Sequence, residues 1–204
     1  MKPRVLASLV LKSVLSVSVL SAAMLSSTLM LAASASAAPR SVTDPQAPRE
    51  LPAEGPVSVR WNDPSTFSEL RNSPNRFEAQ RGDWVTQIAT HLRTSATAAL
   101  QPGQTLEVTL TDIKRAGDFE PWQGPRATDI RFMRDIYPPR LTFQYVLKAA
   151  DGRVLDEGEA QLRDTGYLHG SGGLASNSDP LRYEKKLIDD WRRRVLAKAA
   201  AAAG

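Results

Sequence analysis

Cysteine is absent from this 204-residue chain, histidine occurs only twice, and aromatic residues make up just 6% of it. The missing cysteine excludes a disulfide scaffold, a thiolate zinc site, a cysteine nucleophile and the acylated cysteine of a lipoprotein. Two histidines, His91 and His169, exclude a histidine-rich metal site. Acidic residues are missing from residues 1–37, which hold Lys2, Arg4 and Lys12. No internal repeat, Walker loop or G-x-S-x-G elbow is visible. A hydrophobic content of 42% nevertheless argues against wholesale disorder, and the length suits one ordinary domain with extras.

Residues 1–37 read as a Sec signal peptide. The basic start leads into an uncharged apolar stretch over 13–33, and Ala35-Ser36-Ala37 supplies small residues at the positions a signal peptidase reads. Cleavage between Ala37 and Ala38 and delivery to the periplasm are expected. The alternative is an uncleaved anchor, because the apolar stretch is near the roughly 20 residues that span a bilayer. Cleavage changes the charge. Three of the 26 basic residues and none of the 22 acidic ones lie in the leader, so +4 becomes 23 against 22, or +1. Nucleic acid drops out as an expected partner.

Five prolines in residues 38–56 mark a spacer, extended and mobile. A single domain is expected over 57–198, followed by an Ala-rich frayed tail at 199–204. Alternation in Val57-Ser58-Val59-Arg60-Trp61 predicts a strand, and Asn62-Asp63-Pro64 ends it and caps a brief helical turn over Phe67 and Leu70. The apolar spacing of Trp84, Val85, Ile88, Ala89, Leu92 and Ala96 predicts a first long helix from Phe77 to Leu100. Strands follow at 106–111, 129–134 and 141–147, with irregular chain over 114–128. Asp151-Gly152 turns the last of these strands into a partner at 153–163. Residues 164–178 form a Gly- and Ser-rich loop, and Asp179-Pro180 opens the final helix. The expected fold is α+β, an antiparallel sheet of four to five strands with two long helices packed on one face.

The final helix carries Arg182, Lys185, Lys186, Arg192, Arg193, Arg194 and Lys198. Asp189 and Asp190 stand at i, i+4 spacing from Arg193 and Arg194, which favours a solvated, self-compensated face over a phosphate or lipid patch. Glu184 falls at the centre of that helix's apolar stripe, and a structural role is expected for it, gripping an arginine or a backbone amide. Asp112, Asp118, Glu120 and Asp129 cluster near Trp122 but match no calcium loop, so no metal and no cofactor are expected. His91 flanks an apolar helix face and reads as structural. His169 sits beside Tyr167 in a glycine-rich loop able to hold a base and a hydroxyl near a ligand.

Several strings taken together resemble an uncharacterised proteobacterial family, number 3016 in the domain-of-unknown-function series. They are Val57 to Pro64 (VSVRWNDP) with Phe67, Leu106 to Trp122 (LEVTLTDIKRAGDFEPW), Asp129 to Arg131, Pro139 to Tyr145 (PRLTFQY), Asp164 to Leu168 (DTGYL) and Tyr183 to Trp191 (YEKKLIDDW). The resemblance covers most of 57–195. It implies a small exported domain of unassigned activity and supplies no catalytic residues. Lys114-Arg115 stands where Asp-Leu is expected in that family, which argues further against an acidic metal cluster.

The expected function is a non-enzymatic binding or accessory module of the cell envelope, with an envelope protein or small ligand as partner. Its contact surface is expected to join the Asp118–Trp122 loop to the Tyr167–Gly173 loop, with Trp122 and Tyr167 as aromatic anchors. Two alternatives stay open. One is a hydrolase using His169 with Asp118 or Glu120, and the other is a membrane-surface protein using the basic last helix.

Overall fold

Alternating side chains build the sheet. In β1 (Val57–Trp61) Val57, Val59 and Trp61 are buried while Ser58 and Arg60 face solvent. The computed structural model describes residues 41–169 and 177–202. After β1 come α1 (Ser68–Arg71), α2 (Arg76–Ala79), α3 (Trp84–Thr97) and β2 (Thr105–Lys114). Two short strands, β3 (Asp118–Phe119) and β4 (Arg131–Phe132), precede the hairpin of β5 (Arg140–Lys148) and β6 (Val154–Arg163). The chain ends in α4 (Arg182–Trp191), a π-helical turn (Arg192–Leu196) and α5 (Ala197–Ala202). Among the described residues, no helix is long and apolar enough to cross a membrane.

The main sheet has the order β1-β2-β5-β6, and β3 pairs with β4 separately. It is mixed. β1 runs parallel to β2, whereas β2–β5 and β5–β6 are antiparallel. The expectation of a purely antiparallel sheet therefore fails at one pairing. The chain leaving β1 passes through α1 to α3 before re-entering the sheet, and a crossover of that length is what parallel neighbours require. Among the described residues, only the β5–β6 connection is a tight hairpin.

The expected pair of long helices is corrected to one long C-terminal helical run with shorter ones. The segment from Phe77 to Leu100 is interrupted where Gly82 adopts φ +84°, and α3 starts afresh at Trp84. The Trp84 indole N–H donates to the Ala79 carbonyl at 3.0 Å, tying the two pieces together. At the other end Ala200 is buried, and its carbonyl accepts from the Gln104 side chain at 3.0 Å. Helix α5 runs to Ala202, and Ala200 is its buried residue. The expected strand at 129–134 is reduced to Arg131–Phe132.

Helices α3 and α4 pack on the sheet face that carries Val59, Leu110, Phe143 and Leu147. Trp191 meets Phe143 and Tyr145 edge-on at 4.9 and 5.4 Å. Burying each such side chain contributes about 1.5–3 kcal/mol, and the aromatic geometry adds to it. A bulge between Leu110 and Asp112 shifts the inward parity of β2, so that Ile113 enters the core and Asp112 leaves it. Part of the proline-rich segment is also fixed. Val42 is buried with its N–H on the Gln80 carbonyl, and Leu51 and Arg49 hydrogen-bond Val59 and Trp61 along the border of β1.

Candidate functional site

Three stretches short of regular structure meet around buried charge. Helix α1 follows a 3-10 turn capped by Asp63, which accepts from the Ser65 N–H at 3.0 Å. Asp112, displaced outward by the bulge, accepts from the Ser68 N–H at 2.5 Å and the Ser68 hydroxyl at 2.6 Å. These contacts fix α1 so that Phe67, Glu69 and Leu70 are all buried.

Glu69 is 0% exposed. Its Oε2 accepts from Lys114 Nζ at 3.1 Å and from the Arg115 N–H at 3.0 Å, while its Oε1 is bonded by Arg131. Burial alone would raise its pKa, but the charges of Arg131, Lys114 and Arg115 outweigh this and hold the carboxyl below its ordinary value. Lys114 also donates to the Gly117 carbonyl at 2.9 Å and lies 3.4 Å from Asp118. Arg131 donates to the same Gly117 carbonyl at 3.0 Å.

Glu184 approaches from α4 and is equally buried. Its Oε1 accepts from the Ala116 N–H at 2.6 Å, and its Oε2 has no hydrogen-bond partner among the described residues. Burial pushes its pKa up, against the opposing effects of that backbone amide and of Arg115. The unfolded chain therefore releases this proton at lower pH than the folded one. Stability from this group is full below the unfolded-state pKa and is lost as pH rises through the folded pKa. Glu184→Gln is expected to be more stable than the parent chain near neutral pH, with the gap closing on acidification. Urea unfolding at a series of pH values tests this, and a gap independent of pH would refute it.

The sequence-derived site residues fall in different settings. Glu120 is buried, gripped by Arg134 through two bonds of 2.6 Å and by Tyr137 and Gln123 at 3.0 Å each. The Arg134 fork is the main reason its carboxyl sits below the ordinary range. Asp118 accepts from the Phe119 N–H at 2.9 Å and faces Lys114. His169 lies 3.1 Å from Asp135, not from Asp118 or Glu120, and both members of that pair are largely exposed. Tyr167 is 1% exposed, donates to the Arg134 carbonyl at 2.9 Å and packs edge-on against Tyr183. Burial pushes its pKa up to about 12. As a surface anchor Tyr167 is a correction: it is a core residue of a small cluster with Ala116 and Tyr183. Trp122 is 65% exposed. Part of the expected contact loop, residues 170–173, lies outside the described residues.

The basic helix is compensated. Asp190 pairs with Lys186, Arg193 and Arg194, whereas Asp189 turns to His91 at 3.1 Å and Ser95 at 2.6 Å instead of Arg193. Among the described residues, no group of three or more His, Asp or Glu side chains is arranged to hold a metal ion. The sequence reading missed Glu69, Arg131, Arg134 and Asp135. The one signal available was a glutamate set between Phe67 and Leu70, where an apolar turn should bury whatever it carries.

Five exposed large apolar side chains belong to segments around this cluster. Trp122 and Ile130 are on the loop joining β3 and β4, and Ile136 follows β4. Leu168 stands beside His169, and Phe77 lies on α2, whose capping Asn75 donates to the Thr128 carbonyl of the same loop at 2.7 Å. A family model described as "Protein of unknown function (DUF3016)" matches residues 55–194. No curated protein and no solved structure matches the chain.

Proposed function

The chain belongs to the DUF3016 family, and we propose that it is an exported, non-enzymatic binding module of the cell envelope whose contact surface is the β3–β4 lobe. The observation that carries this reading is Trp122, an exposed aromatic on a loop whose root is held rigid by Glu120 and Arg134. Exposed aromatics on fixed supports make binding anchors because little conformational freedom is lost on contact. Ile130 and Ile136 take the place that Tyr167 cannot fill. The basic start and apolar stretch of residues 1–37 support export.

A hydrolase reading would now rest on His169 with Asp135, since Asp118 and Glu120 are committed to Lys114 and Arg134. Water screens that exposed pair, which weakens it as an oriented base. The binding reading is tested by retention of envelope components on the immobilised chain. Trp122→Ala is expected to lose a component the parent retains while changing stability by less than about 0.5 kcal/mol. Gln46→Ala, at an exposed site in the chain preceding β1, serves as the control. Identical retention by Trp122→Ala and its parent would remove the lobe as the contact surface.

A further inference from the structure

The two borders of the main sheet are treated differently. At β1 the preceding chain closes the edge, through Leu51 N–H to the Val59 carbonyl and Trp61 N–H to the Arg49 carbonyl, both at 2.9 Å. At β6, among the described residues, no backbone hydrogen bond reaches the outer edge along Val154–Arg163. Such an edge is a template for an added strand unless it is guarded. β6 carries Asp156, Glu157 and Glu159 against the single Arg163, a charge pattern that opposes pairing with a second copy.

Guarding alone leaves another feature unexplained. A groove of about 210 Å³ runs between β6 and the C-terminal helix, lined by the apolar Leu162, Leu187, Trp191 and Val195, with Gln161, Arg163, Asp190 and Arg194 completing the lining. Val195 belongs to the π-helical turn and is exposed there. π turns within helices recur at functional sites. The two faces of the edge therefore differ. Glu157 and Glu159 lie opposite Val146 and Gln144 on the open side of the sheet, while Ala160 and Leu162 lie opposite Phe143 and Leu141 on the helix side.

We infer that β6 takes up, by strand addition, an extended segment of a partner protein in which basic residues alternate with apolar ones. The period of two sends the basic row toward Glu157 and Glu159 and the apolar row into the groove. Backbone hydrogen bonds along the edge supply affinity, and the two side-chain rows supply selection. This surface is separate from Trp122.

A labelled peptide alternating lysine and valine, titrated with the full chain and read by fluorescence anisotropy, tests the inference. Binding is expected to slow amide hydrogen exchange within β6. It should weaken at least about tenfold in Glu157→Lys/Glu159→Lys and in Val195→Glu, and should stay unchanged in Trp122→Ala. The double variant alters only exposed side chains, so its fold is retained even where Val195→Glu perturbs the helix. A peptide with glutamate in place of lysine should not bind. Equal binding to all variants, no binding at all, or protection of the outward-pointing β6 amides without peptide would overturn the proposal. That last result, in a monomer or a concentration-dependent dimer, would assign the edge to this chain itself.

Discussion

Glu69→Ala is expected to cost about 3–5 kcal/mol of folding stability, the range seen when one partner of a buried ion pair is removed. Lys114, Arg115 and Arg131 converge on this one carboxylate, and its loss leaves three cations with Asp118 and Glu184 as the remaining nearby countercharges. Arg115 already experiences the like charge of Arg131, after burial the largest influence lowering its pKa. Removing Glu69 leaves that crowding with less opposing charge. Urea unfolding followed by the fluorescence of buried Trp61, Trp84 and Trp191 measures the loss. Glu69→Gln separates charge from shape. It should cost nearly as much as the alanine variant, because the amide fills the same space without the charge. A glutamine variant as stable as the parent would show that the cluster packs by shape alone. The pH dependence has a definite sign. Because the folded-state pKa of Glu69 is lowered, its contribution is present above the unfolded-state value and is lost as pH falls through the folded one. Acid unfolding should therefore be less steep in Glu69→Gln.

Gly117→Ala is the second large effect. Gly117 has φ +73°, and a Cβ there would stand 2.6 Å from the Phe132 carbonyl oxygen and 2.8 Å from Met133 Sδ. Backbone strain accounts for roughly 1–3 kcal/mol and forced overlap for a similar amount. The damage is not confined to the turn. The Gly117 carbonyl accepts from Lys114 and Arg131, and its N–H donates to the Tyr137 carbonyl at 3.0 Å. A shift of this backbone loosens the ion cluster and the root of the Trp122 loop together. Thermal unfolding should show a midpoint lowered by about 10 °C. Gly152→Ala is the control, since φ is +85° there but nothing lies within 4 Å of the added Cβ. Its cost is strain alone. Equal losses in the two variants would show that the contact with Phe132 and Met133 contributes nothing.

Gly117 lies in a stretch the sequence reads as irregular and Glu69 on a turn it reads as brief, and neither effect is legible there for a physical reason. Elements reveal themselves through local periodicity, and Val57–Trp61, the hairpin at Asp151-Gly152 and the stripe through Leu187 and Trp191 were all legible that way. The Asp63 cap was legible too, because its partner Ser65 is two residues away. The ion cluster joins partners 45 positions apart in Glu69–Lys114, 62 in Glu69–Arg131 and 68 in Glu184–Ala116. No local pattern encodes such pairings. Tyr167 illustrates the same limit: a tyrosine in a glycine-rich loop looks exposed until Tyr183 and the Arg134 carbonyl are found against it.

The sequence by itself determined the family, the α+β class, most of the strands and the absence of any thiol chemistry. Tertiary structure alone decided that β1 joins its neighbour in parallel, since only the path of the intervening helices sets the direction of return. It decided which carboxylates are free, since neutralisation depends on cations brought from distant segments. It also decided which borders of the sheet are closed, because the closing segment at β1 is proline-rich chain without strand periodicity, whereas among the described residues no backbone hydrogen bond reaches the outer edge of β6.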